Sequence, residues 1–177
     1  MAAITDGLTD HTLNFKNLCG ALKLQLKGTA KIKSIELKGN DGEPLSGAAA
    51  INIYNDGSVP TLEMSRNASA SVSLNWIDGV QLNPDTATPF FITIPPTSFE
   101  KGFTVKIIDI MGAEATVQTS KSNVVSRSYV HTMPEVTIEP TLPSVNESAM
   151  SGLSIACIGN SITQGVGANG NPYPTQL

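Results

Sequence analysis

Residues 21–27, "ALKLQLK", alternate strictly between apolar and polar: Leu22, Leu24 and Leu26 on one side, Lys23, Gln25 and Lys27 on the other. Successive side chains of an extended chain point to opposite faces, so this period of two sets three leucines toward a core and three long polar groups toward water. A helix would scatter the same residues around its circumference. The segment is therefore a strand wet on one face, and the other face needs a covering layer. "AKIKSIELK" (30–38) follows Gly28-Thr29 and alternates again through Ile32, which places Lys31 and Lys33 with Lys23 and Lys27 on solvated faces.

The pattern recurs through "AINIY" (50–54), "TLEMS" (61–65), "ASVSLNW" (70–76), "FFITI" (90–94), "FTVKIIDI" (103–110), "AEATVQT" (113–119) and "NVVSRSYV" (123–130). Turn formers separate these runs: "GNDGEPLSG" (39–47), Asn55-Asp56-Gly57, Asp78-Gly79, Asn83-Pro84-Asp85, Pro95-Pro96 and Met111-Gly112. No stretch between 13 and 133 keeps a helical apolar period for three turns. About nine short strands at this spacing predict a mainly β unit, an antiparallel β-sandwich. Trp76, Phe91, Phe103 and Tyr129 fall within the alternating runs and are expected in its core.

The 177 residues suffice for one domain or two small ones. A formal net charge of −4 with scattered lysines excludes the clustered cations that a nucleic acid or an anionic membrane surface requires. No apolar run approaches a membrane span, and residues 1–10 lack a charged-then-apolar signal pattern. Such a chain reads either as cytosolic or as a secreted chain whose beginning is missing. Cys19 and Cys157, far apart and among small apolar residues, read as buried free thiols, with a disulfide as the alternative, and His11 and His131 are isolated, so neither a metal nor a cofactor is expected. The glycosylation triplets at Asn67 and Asn146 are of a kind that arises by chance in such a composition.

Composition shifts at "MPEVTIEPTLPSVNESAMSG" (133–152), which carries Pro134, Pro140 and Pro143 and ends in a polar tail. It reads as a stiff linker, or as an edge strand at 135–138 followed by a surface loop. Beyond it "LSIACIG" (153–159) is a continuous apolar run, the kind that suits a parallel strand buried on both faces. Pro174 then suits the first turn of a helix.

Residues 159–170 fail several catalytic patterns. The nucleophile elbow needs glycine where Thr163 stands, and a phosphate-cradling loop needs a lysine that is absent. Gly165 to Gly170 spell a dinucleotide motif, but they start too far beyond the strand and run into Pro172 and Pro174. What remains is an apolar strand delivering Gly159-Asn160-Ser161-Ile162-Thr163, a glycine-rich loop and Tyr173-Pro174. This run resembles the first block of the SGNH (GDSL-type) hydrolases. The resemblance implies that Ser161 is the nucleophile, that Gly159 allows a tight exit from the strand, and that the Ser161 backbone N–H serves an oxyanion hole. Asn160 stands where the family commonly has Asp; it keeps the shape and a carbonyl acceptor but loses the charge. A bland alternative stays open, a small-residue turn between strand and helix. The family's Asp-x-x-His occurs nowhere in the chain, and "KGNDG" (38–42) is a turn within the β region, upstream of Ser161. These 177 residues are thus expected to be an inactive fragment of a longer hydrolase.

"FKNLCGALKLQLKGTAKIKSIELKGNDGEPLSG" (15–47) resembles the opening of fimbrillin-like β-sandwich domains of Bacteroides-type surface proteins. That resemblance implies an exported protein, periplasmic or at the cell surface, whose signal segment is not in this chain. The expected organisation is a sandwich over 1–135, a linker over 136–150, and the truncated start of an α/β SGNH domain over 151–177. The expected activity of the parent is hydrolysis of acyl or acetyl esters, with an ester-bearing small molecule or glycan as substrate. Two alternatives are a carbohydrate-binding or adhesive sandwich without catalysis, and a fimbria-like subunit that donates its last strand to a neighbour.

Overall fold

Leu22, Leu24 and Leu26 are buried and Lys23, Gln25 and Lys27 half-buried along β1 (Gly20–Lys27), as the alternation requires. The structure, a computed structural model, describes residues 1–4 and 13–143; among these it has strands and turns and no helix. The other strands are β2 (Lys31–Gly39), β3 (Ala49–Asn52), β4 (Thr61–Met64), β5 (Ser71–Gln81), β6 (Thr88–Ile94), β7 (Thr97–Phe99), β8 (Phe103–Asp109), β9 (Glu114–Thr119), β10 (Asn123–Val125) and β11 (Val130–Thr137).

The unit is mainly β and rests on antiparallel sheets. One sheet has the order β11-β1-β6, another β5-β2-β8-β9, and two small pairs, β3-β4 and β10-β7, are not hydrogen-bonded to either, although Phe99 of β7 and Val125 of β10 are buried in the same core. Inward residues of the two larger sheets share one core: Leu22, Leu24 and Leu26 of β1 and Ile92 of β6 meet Ile35 and Leu37 of β2 and Ile107 of β8. Burying such side chains contributes about 1.5–3 kcal/mol each, the dominant favourable term in the fold. Aromatic edges lock the ends of this layer. Trp76 meets Phe90 with ring centroids 5.3 Å apart, and Phe99 meets Phe103 at 5.2 Å, both in edge-to-face geometry.

One pairing departs from the antiparallel expectation: β11 runs parallel to β1. Periodicity fixes which face of a strand is buried but not the direction of its neighbour, so this was not visible in the pattern. "NVVSRSYV" is not one strand either. It breaks at Ser126–Tyr129, where Ser128 takes φ 64° and its N–H bonds the Cys19 carbonyl at 3.0 Å.

Asp78-Gly79, a turn signal by composition, lies inside β5. Asn75 pairs with Ser34 and Val80 with Ile32, so four residues of β5 stand opposite Lys33 alone. The alternation of β2 slips there too, since Ile32 and Ile35 are both buried three positions apart. Gly79 (φ +69°) makes the excursion possible: a Cβ there would lie 2.8 Å from Ile110 Cγ2 and 3.2 Å from the Ile32 carbonyl oxygen.

The segment after β11 belongs to the same unit. Ile138 is buried and its N–H bonds the Lys27 carbonyl at 2.9 Å, while Thr141 and Glu114 exchange two backbone hydrogen bonds. The compact unit accordingly extends to Pro143. Two of the four aromatics assigned to the core are on the surface. Phe103 is buried and Trp76 half-buried, but Phe91 is 53% exposed and Tyr129 72%. Phe91 lies between buried Phe90 and Ile92, so alternation turns it outward; Tyr129 sits in the turn before β11.

Candidate functional site

Gly159, Asn160 and Ser161 lie outside the described residues, as do His11 and Cys157. Of the remaining groups with acid–base or nucleophilic chemistry, His131 is half-buried on β11 opposite Leu22, and Cys19 is a half-buried free thiol. No three His, Cys, Asp or Glu side chains converge for a metal among the described residues.

The polar groups of "KGNDG" are consumed by the fold. The Asn40 side-chain amide donates to the carbonyls of Lys101 (2.9 Å) and Thr119 (3.0 Å) and accepts from Thr104 at 2.8 Å. Asp41 pairs with Lys101, and this hydrogen bond, more than the charge alone, raises the Lys101 pKa above its ordinary 10.5. These contacts tie the β2 turn to the loop before β8, which is structural work.

Two surface features among the described residues bear on function. The first is a cleft of about 360 Å³ between edge strands β9 and β11. Its walls are Leu24, Val105 and Val117, its lip Met133 and Val136, and its mouth the 119–123 turn that carries Lys121. Local sequence explains why the cleft stands open. Thr132 pairs with Lys23 and Glu135 with Gln25, so Met133 and Pro134 both face Leu24. Pro134 has no N–H to give the ladder, and such a residue is tolerated on an edge strand at a bulge. The bulge bends β11 there, and Val117, Met133 and Val136 are left only partly buried. A concave, mostly apolar cleft with a few polar groups at its rim is the usual form of a small-ligand site.

The second feature is the outer face of β11-β1-β6. Lys23 pairs with Phe91 and with Thr132, so the three share one outward row, and the Lys23 ammonium lies over the Phe91 ring at 5.9 Å from its centroid. Exposed Tyr129 rims a shallow depression beside Ala21, Thr93 and Val130 in the next row.

Sequence reasoning missed both features. Exposure of Phe91 was readable from its place between Phe90 and Ile92. For the cleft the only local sign was Pro134 inside an otherwise strand-like run. Neither a family model, a curated protein nor a solved structure matches this chain.

Proposed function

We propose that the chain is the N-terminal portion of an exported SGNH-type serine esterase, with the β unit as its accessory module and Ser161 as nucleophile. The observation that carries this reading is the sequence run "LSIACIGNSIT" with Tyr173-Pro174 after it: an apolar run, a glycine, a serine, a glycine-rich stretch and Tyr-Pro, in the order of the family's first block. Ser161 Oγ attacks the ester carbonyl, and its own N–H stabilises the oxyanion that forms. Asn160, where the family commonly has Asp, keeps a carbonyl acceptor without the charge. The reading places the Asp and His of the triad outside these residues. Acyl or acetyl esters, including those on glycans, are the substrate class. Hydrolysis of p-nitrophenyl acetate by the complete polypeptide tests it. Ser161→Ala is expected to abolish turnover, since losing a triad serine costs on the order of a million-fold in the well-studied protease case. Full activity in that variant would remove Ser161 from the mechanism.

A second reading, a glycan-binding or adhesive module, draws on exposed Phe91 and Tyr129 on one face of the β unit. Retardation in gels loaded with soluble polysaccharides, lost in Phe91→Ala and Tyr129→Ala, is its expected signature. Equal mobility of all three proteins in every polysaccharide tested would dismiss it.

A further inference from the structure

We propose that the cleft between β9 and β11 binds a linear aliphatic carboxylate, its chain lying between the two sheets and its head group at Lys121. This stands independently of the reading of Ser161.

The walls present two successive inward rows, Phe103 with Thr119 and then Val105 with Val117, about 7 Å apart along the strands. Leu24 and Leu26 face them from β1, and Met133 and Val136 close the outer side from β11. Inside the slot, then, the lining is mostly Leu, Val and Met with one Phe, set in rows that follow the strands, which favours a single extended hydrocarbon chain over a bulky ring system. Its volume of about 360 Å³ stands at the small end of ligand sites, so one chain of medium length fills it.

Charge selects the head group. Among the described residues, Lys121 is the only ionisable one lining the cleft, and it makes no ion pair with a carboxylate. The adjoining turn is held in shape: the Lys121 N–H donates to Thr119 Oγ1 at 3.2 Å, and the Asn123 amide donates to the Lys121 carbonyl at 2.7 Å. A cation on a fixed turn at the end of an apolar slot complements an anion on the end of an apolar chain. The nearest acid on β11, Glu135, is engaged on the outer face by Lys27 at 2.6 Å and leaves the mouth positive.

The test is a titration of the full 177-residue chain, methyl-labelled for NMR, with hexanoate, octanoate and decanoate. Shifts are expected at Val105, Val117, Met133 and Val136, with affinity rising about fourfold per added methylene until the slot is full. Octylammonium should bind about fivefold more weakly than octanoate, and Lys121→Gln should erase that difference without disturbing the fold. Val117→Phe, which fills the slot, should abolish the shifts; if that variant does not fold, the comparison of head groups on Lys121→Gln decides alone. Affinity independent of chain length, equal binding of octylammonium, or shifts confined to other methyls would overturn the proposal. So would a concentration-dependent dimer dissolved by Val117→Lys without any octanoate shifts, which would mean that a second copy covers the cleft.

Discussion

The side-chain amide of Gln25 donates to the Met133 carbonyl oxygen at 3.0 Å, a link between β1 and the bulged stretch of β11. The register of the β1–β11 ladder shifts at this point, and the Gln25 side chain supplies a donor to the carbonyl within the bulge. Gln25→Leu keeps the size and removes the donor, leaving a part-buried carbonyl unmatched. The expected cost is about 1 kcal/mol, seen as a lower urea midpoint at unchanged slope. An unchanged midpoint would mean that water takes the amide's place at no cost.

Gly79 and Gly112 both hold positive φ, +69° and +82°, but only Gly79 is crowded. Alanine at Gly112 meets open space and pays for backbone strain alone, about 1 kcal/mol. At Gly79 the added Cβ must also displace Ile110 and press toward the Ile32 carbonyl, so Gly79→Ala is expected to cost at least about 1 kcal/mol more. Chemical denaturation of the two variants side by side reads the difference, and equal losses would contradict the crowding.

Ile107 and Ile77 carry the same side chain in opposite environments, wholly buried and 98% exposed. Ile107→Ala removes methylenes from the shared layer and should cost about 2–5 kcal/mol. Ile77→Ala touches nothing packed and should fall within about 0.5 kcal/mol of the parent. Melting curves on both variants test the pair.

Two exposed groups give the stability a signed pH dependence. Asp56 accepts the Ser58 N–H at 2.8 Å, and hydrogen bonding to Ser58 lowers its pKa below the ordinary 3.8. A depressed folded pKa means that this contribution is present above 3.8 and is lost as pH falls through the folded value. Lys101 is the converse: its raised pKa gives a contribution present below 10.5 and lost as pH rises through the folded value. Both groups are exposed, so both limbs are shallow and shrink in high salt. Melting temperature against pH should lose its acid slope in part in Asp56→Asn and its alkaline slope in part in Lys101→Met; slopes identical to the parent would refute the assignments.

How far the sequence reveals this molecule depends on which physical signal each element carries. β1 was legible because three leucines alternate with three polar residues, and burial follows that rhythm residue by residue. β5 was cut short because Asp78-Gly79 is turn chemistry, and only the facing strand shows that the chain spends it on a bulge. The parallel partner of β1 is a long-range choice that no local pattern encodes. Edge strands β9 and β11 carry few large apolar residues, and a cleft between them is a property of spacing rather than of any motif. The serine motif is the opposite case: legible as a string at Gly159 to Ser161, it falls outside the described residues.

Where the β unit ends is itself open to measurement. The prolines at 134, 140 and 143 read as a linker, yet β11 runs through Pro134 and Ile138 is only 4% exposed. Ile138 therefore belongs to the core by packing, and the Thr141–Glu114 pair fastens the chain just beyond it. A linker residue can be truncated freely, whereas a core isoleucine cannot. Ile138→Ala is expected to cost about 2–5 kcal/mol, while Leu142→Ala, at a position 66% exposed, should change stability by less than about 0.5 kcal/mol. Limited proteolysis adds an independent reading: peptide bonds up to Ile138 should resist cleavage in the parent and open in Ile138→Ala. Neutral behaviour of Ile138→Ala in both measurements would return the segment to the linker and end the unit at β11.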